Sequence, residues 1–276
     1  MKYKLGDMSW MEAKEAFEKT DIVILPTGTL HGHGPTPINI DTSSVQKIAD
    51  EVGKKTGIII LPVVNYGENE KQKYYPGSIT ISPETVEKVY IDIFNSLRRN
   101  GIKKVIVLNG HGGNNSSLEA AARKVRNIGM LIAILSWWSI GRQRETDLWE
   151  EGAHSYMCEL AVSLAIQGKD IADLRGKKTG YMGEWGNEYT TNKIFGENLI
   201  PLGFNTFEFK GANVTIPIQA MDIDLKGPPN IGEDVVDELY QRGQEIIIRM
   251  VDYIVDFIKE FEKVDIGKAL KHQDNF

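Results

Sequence analysis

Five histidines occur in the 276 residues, and four of them, His31, His33, His111 and His154, fall at or just after the ends of apolar runs or at a helix start. Only His272, near the end of the chain, stands apart. The run LPTGTLHGHGPTPINID sets His31 and His33 two residues apart and follows them with Asp41. Alternate residues of an extended segment face one side, so the two imidazoles project together. Neutral imidazoles and a carboxylate at such spacing suit a borderline divalent cation such as zinc, manganese or iron. A second run, LNGHGGNN, presents His111 among Gly110, Gly112 and Gly113, where backbone can approach a ligand closely. A third, EEGAHSYMCEL, holds His154 and Glu159 around a helix start, so that the carboxylate sits below the imidazole or reaches the metal.

One exposed histidine after a strand is more often a polar turn residue. Four of five, together with Asp41 at one edge of a sheet, favour a metal centre instead. The glycines of NGHGGN also resemble a phosphate cradle, but neither G-x-G-x-x-G nor G-x-x-x-x-G-K-[ST] occurs.

The elements that must position these residues are legible as apolar runs. Segments 21–27, 57–64, 103–109 and 129–135 are short, β-branched and free of alternation, as expected of parallel strands covered on both faces. Helical patterns at 43–55, 83–99 (with Ser82 as cap and Pro83 in the first turn) and 114–127 lie between them. The alternation predicts a three-layer α/β/α sandwich with a mostly parallel central sheet. Reactive groups should gather beyond the carboxyl ends of its strands. Further on, the pattern predicts a helix near 155–167, a short strand at 213–219 and a long terminal helix at 232–263 with Gly243 as its weak point. Residues 1–276 read as one domain, with an elaborated loop region around 176–211 that suits a lid or subunit contact.

Composition narrows the partners. With 38 acidic against 32 basic residues and a net charge of −6, the chain has no basic footprint for nucleic acid. The clusters Lys54-Lys55, Lys103-Lys104 and Lys177-Lys178 read as solvated ends of elements. No apolar stretch approaches the ~20 residues of a membrane span, and the start MKYKLGDMSW lacks a signal-like apolar segment. The expectation is a cytoplasmic protein. Cys158, the single cysteine, lies in the apolar run MCELAVSLAI and reads as a buried helix residue rather than a nucleophile. Trp137, Trp138, Trp149, Trp185, Tyr181 and Glu184 are candidate pocket-wall residues, each weighed against ordinary packing, and Trp10 reads as structural.

Taken in order, these motifs resemble those of the creatininase family. Pro26, Gly28, Thr29, His31, His33, Gly34, Pro35 and Asp41 correspond to its first motif, and Tyr66-Gly67 with Tyr75-Pro76-Gly77-Ser78-Ile79 to its second. N-G-H-G-G-N stands unchanged at 109–114, His154 and Glu159 match H-x-x-x-x-E, and Gly227-Pro228 resembles a late G-x-P segment. Two departures stand out: His31 occupies the place of a metal-binding glutamate, and Gly113 that of a glutamate which serves a second metal in creatininase itself. The spacing to Asp41 is also one residue shorter than there.

The resemblance implies a metal-dependent hydrolase in which His33, Asp41 and His111 hold one or two ions of zinc, manganese or iron, with His31 joining and Asp41 able to bridge. Glu159 then orients His154, completes the coordination sphere or serves as base, and His154 is the general acid. It implies attack of metal-bound hydroxide on the carbonyl of a small cyclic or amide-like substrate, either a creatinine-type amide or an oxidised cyclitol such as a keto-inositol. Tyr66, Tyr74 and Tyr75 rank below the ligands as lining residues, and a homo-oligomer, a hexamer in relatives, is expected. Two alternatives remain: a non-catalytic metal- or metabolite-binding member, and a metal-dependent sugar isomerase or aldolase.

Overall fold

The structure, a computed structural model, describes residues 2–33, 36–149, 156–169, 198–201, 206–219 and 233–270. Strand β1 (Ile22–Thr27) and strand β3 (Lys104–Asn109) are buried at every position. Runs without alternation are therefore what these strands need, since both faces are covered. With β2 (Ile59–Ile60) and β4 (Leu131–Ser136) they form a parallel sheet in the order β2-β1-β3-β4. The chain steps from β1 outward to β2, then returns to place β3 on the other side of β1. Strand direction of growth reverses between β1 and β3, and the crevice at such a reversal is where an open α/β sheet binds ligands.

Helices cover both faces, giving the predicted three-layer α/β/α architecture. Helix α1 (Trp10–Phe17), capped by a Ser9–Glu12 capping box, precedes the sheet. On one face Val23, Leu25, Val105 and Val107 pack with Tyr90 and Phe94 of α3 (Pro83–Arg99) and Leu118 of α4 (Asn115–Arg126). On the other, Ile22, Ile24, Ile106 and Leu108 meet Val45 and Ile48 of α2 (Ile40–Thr56). The same core takes in Trp137 of α5 (Trp137–Arg144), Cys158 of α6 (Tyr156–Gln167) and Met250 of α7 (Glu233–Glu262). Helix α8 (Ile266–Leu270) follows. Among the described residues, no helix is long and apolar enough to cross a membrane.

Several expectations need correction. The strand expected over 57–64 pairs only at Ile59–Ile60, because Pro62 has no N–H to donate; pairing resumes as a single bridge between Val64 and Thr27. The strand near 213–219 is β7 (Ala212–Thr215), and it belongs to a separate antiparallel sheet with β5 (Ile200–Pro201) and β6 (Thr206–Phe209). Lys210 and Gly211, both with positive φ, turn that hairpin. Most of the 176–211 loop region lies outside the described residues. Ser82 caps α3 with its carbonyl, which accepts from Thr85 and Val86, while its hydroxyl bonds Thr85 Oγ1. Lys104 is buried and donates to the Glu262 carbonyl at 2.7 Å rather than being solvated. Trp10 is 77% exposed and packs into no core.

Gly243 is no weak point. A Cβ there would stand 1.9 Å from the Ala161 carbonyl oxygen, so α7 and α6 touch backbone to backbone, with Leu160, Leu164 and Leu239 filled in around the contact. Inside a helix, glycine to alanine ordinarily gains about 1 kcal/mol. Here Gly243→Ala is expected to lower the urea midpoint and Tm, because the methyl forces the helices apart. A rise in Tm would show that the backbones do not meet.

Candidate metal centre

The site begins with two glycines at the carboxyl ends of β1 and β3. A Cβ on Gly28 would lie 2.7 Å from the Asp41 backbone, and one on Gly110 would lie 1.9 Å from the Asp41 carbonyl oxygen. Their bare backbones let the first turn of α2 settle between the two strand ends, which sets the Asp41 side chain beneath the loops that follow. Beyond β1 the chain folds back, with His31 N–H donating to the Ile38 carbonyl at 3.0 Å. Beyond β3, Asn109 holds the backbone of His111 from both ends: its Oδ1 accepts from His111 N–H at 3.1 Å and its Nδ2 donates to the His111 carbonyl at 2.8 Å.

Asp41 is the hub, 3% exposed. Its Oδ2 lies 2.9 Å from His31 Nε2 and 2.9 Å from His111 Nδ1. Its Oδ1 lies 3.4 Å from His33 Nε2, which in turn lies 3.7 Å from Glu159 Oε2. The rings crowd together, with centroids 3.9 Å apart for His31 and His33 and 4.7 Å apart for His31 and His111. Ligand atoms of His31, His33 and Asp41 lie within 4.8 Å of one another. A cleft of about 280 Å³ opens over them, lined also by Glu68, Asn69, Lys71, Gln72, Trp138 and Arg142.

The donor set fits a cation. His111 Nε2 lies 2.7 Å from the Glu68 carbonyl oxygen, which can only accept, so a ring proton on Nε2 satisfies this contact. With that proton in place, Nδ1 turns a lone pair toward the Asp41 carboxylate, and a cation lying between the two would be held by both. Burial depresses the pKa of His31, and burial together with the charge of His31 depresses that of His33 to about 3, so both rings are neutral ligands at pH 7. Burial opposes ionisation of Asp41, but the imidazoles around it, His33 and His31 first, hold its carboxyl well below the usual range. Glu159 goes the other way. Burial, then the charge of Asp41, pushes it up to about 8, with Arg142 opposing.

The structure thus brings together His31, His33, Asp41, His111 and Glu159. His154 lies outside the described residues, as do Gly34, Pro35, Tyr181, Glu184, Trp185, Gly227, Pro228 and His272. Of the tryptophans, Trp138 reaches the cleft, whereas Trp137 and Trp149 pack edge to face in the core. Tyr66 and Tyr74 are exposed, and neither they nor Tyr75 lines the cleft. The residues just after Tyr66 do so instead. Glu68 was not singled out from sequence; a carboxylate beside Gly67 in the second motif was the available signal. Gly113 has no room for a side chain, since a Cβ would stand 2.3 Å from the Glu68 carbonyl oxygen.

The chain is similar to known proteins over most of its length. The creatininase family model, described as creatinine amidohydrolase, matches residues 6–190. The creatinine amidohydrolase of Pseudomonas putida is 26% identical over 192 residues, covering 62% of this chain and 74% of that one. The 3-dehydro-scyllo-inosose hydrolase of Thermotoga maritima is 29% identical over 107 residues, covering 38% of this chain and 34% of that one. Among solved structures, a mutant creatininase of Zn-Zn type superposes with a TM-score of 0.66 at 19% identity, covering 96% of this chain and 100% of that one.

The shifted groups predict the pH dependence of the metal-free protein. His31 and His33 bind protons less readily folded than unfolded, so they make stability rise as pH climbs toward their unfolded value of 6.5. Glu159 binds its proton more tightly folded than unfolded, so it makes stability fall as pH rises from 4.5 to about 8. In the presence of chelator, Tm should peak near pH 6.5, the point where the histidine contribution is complete and only the glutamate contribution is still changing. Glu159→Gln should remove the alkaline decline and keep the acid limb. A decline of unchanged depth in that variant rules Glu159 out as its source.

Proposed function

The chain belongs to the creatininase family, and from that premise we propose that it is a metal-dependent hydrolase that opens a small cyclic or amide-like substrate at a carbonyl. The convergence of three imidazoles and Asp41 at the reversal point of a parallel sheet carries this reading. The two oxygens of Asp41 divide the imidazoles into two sets, His31 with His111 at Oδ2 and His33, which Glu159 approaches, at Oδ1. Up to two ions would be held there, by His31, His111 and Asp41 and by His33, Asp41 and Glu159, with zinc, manganese or iron as the candidates. A bound ion of this kind polarises a carbonyl and lowers the pKa of a water ligand to about 7.

The chain's own groups supply the rest. Glu159 holds its proton up to about pH 8 in the metal-free site, so it gives that proton up when it takes on a cation. His154, matched to the family motif, is assigned as general acid at the leaving atom. The cleft wall favours a polar ring: Glu68, Asn69, Lys71, Gln72 and Arg142 offer donors and acceptors, and Trp138 offers one flat apolar face. An oxidised cyclitol such as a keto-inositol suits that wall, and the similarity to the inosose hydrolase points the same way. A creatinine-type amide is the other substrate class. A single cytoplasmic domain assembling as a homo-oligomer completes the proposal.

Elemental analysis of wild type beside His111→Ala and His31→Ala tests the centre. Wild type should carry one or two equivalents of zinc, manganese or iron, and His111→Ala should lose them. A wild-type protein that holds none and takes up none on addition sinks the reading. Incubation with a keto-inositol and with creatinine in ¹⁸O-water should place the label in a ring-opened product. A product of unchanged mass would make the protein an isomerase. Glu159→Gln is expected to reduce turnover about 10²- to 10⁴-fold, the range for a lost proton-handling group.

A further inference from the structure

We propose that Asn114 is a positioning residue of the metal centre, which acts through the main chain of Glu68 to decide which ring nitrogen His111 offers to a metal. The inference rests on the metal-centre reading above but concerns residues that bind no ion. Asn114 is completely buried at the end of the short 3₁₀ turn Gly112–Asn114, and its amide is used in both senses. Its Oδ1 accepts from Glu68 N–H at 3.0 Å, and its Nδ2 donates to the Gly28 carbonyl at 3.2 Å. One side chain therefore ties together the loop after β1, the loop carrying Glu68 and the loop after β3. Only a carboxamide meets both demands, because Asp has no donor to give and an apolar residue has neither group.

The loop held in this way presents the Glu68 carbonyl to His111 Nε2 at 2.7 Å. This contact matters because each ring nitrogen faces an acceptor, and the two compete for a ring proton. The Asp41 carboxylate, 2.9 Å from Nδ1, draws the proton to Nδ1. The Glu68 carbonyl draws it to Nε2. If Asp41 wins, the lone pair that would face a cation is spent on a hydrogen bond, and binding must first expel that proton. With the carbonyl in place, Nδ1 is free to act as a ligand on the side where Asp41 and His31 converge. An acceptor behind a metal-binding histidine commonly sets its tautomer in this way, and losing such a partner costs about 10- to 100-fold in metal affinity.

Two variants loosen the same contact by different routes. Asn114→Ala deletes the amide. Gly67→Ala leaves the amide in place but sets a Cβ 2.1 Å from Asn114 Oδ1, so the side chain must swing off Glu68. Nitrogen-15 NMR of histidine-labelled, metal-free protein at pH 8 reads the tautomer directly, and competition titration with zinc reads the affinity. Wild-type His111 is expected as the Nε2–H form, with both variants shifted toward Nδ1–H and binding zinc about 10- to 100-fold more weakly. If Asn114→Ala fails to fold, by its amide spectrum, Gly67→Ala alone decides. A folded variant that keeps the Nε2–H form overturns the proposal, whether its affinity is unchanged or merely reduced by general loosening. If wild type binds no zinc, the metal reading fails, while the tautomer comparison still decides whether Asn114 sets the ring.

Discussion

The carboxylate of Asp41 is a buried negative charge, and the site is organised around the problem it poses. Removing a carboxylate from water costs several kcal/mol unless its oxygens find partners. Both oxygens here face imidazole nitrogens, at 2.9 Å on Oδ2 and 3.4 Å on Oδ1. Yet burial keeps His31 and His33 neutral, so the partners offer hydrogen bonds rather than countercharge. Glu159, half-buried and facing this charge, holds its own proton up to about pH 8. The result is a pocket that surrounds one anion with dipoles, an environment in which a cation would supply the missing countercharge.

Topology explains why these groups meet. Because the sheet grows from β1 first to β2 and then to β3 on the opposite side, the loops after β1 and β3 leave the sheet next to each other. Helix α2 follows β1 directly, so its first turn, and Asp41 with it, falls between those loops. The approach is close enough that Gly28 and Gly110 must lack side chains. Histidines widely separated in the chain thereby arrive at one carboxylate through elements that are otherwise occupied with packing a hydrophobic core.

Much of this was legible in the sequence, for reasons that differ by residue. The strands β1 and β3 declare themselves because burial on both faces erases alternation, and β4, only half-buried, does so by its apolar run. His31, His33, Asp41 and His111 were legible because histidine is scarce here and each sits where an apolar run ends. What escaped notice was set by backbone and tertiary contact. Helix α5 begins directly after β4 in WWSIGRQR, whose paired tryptophans read as a pocket wall; one of them went into the core and the other to the cleft. The contact that orients His111 comes from the main-chain oxygen of Glu68, which no residue type announces. The tight meeting of α6 and α7 at Gly243 likewise reverses the meaning of a glycine that local propensity marks as a defect.

Glu159 is the one member of the constellation that does not come from a strand end or from α2; it rides on α6, which is pressed against α7. Its approach to His33 closes a chain loop on the order of 100 residues, long enough that fixing its ends removes several kcal/mol of unfolded-chain entropy. An ion shared between those two side chains would therefore act as a staple between the amino-terminal sheet and the carboxyl-terminal helix pair. In a chain with a single cysteine, buried in α6 and unable to form an internal disulfide, coordination would provide the cross-link that sulfur cannot, and would need no oxidising compartment.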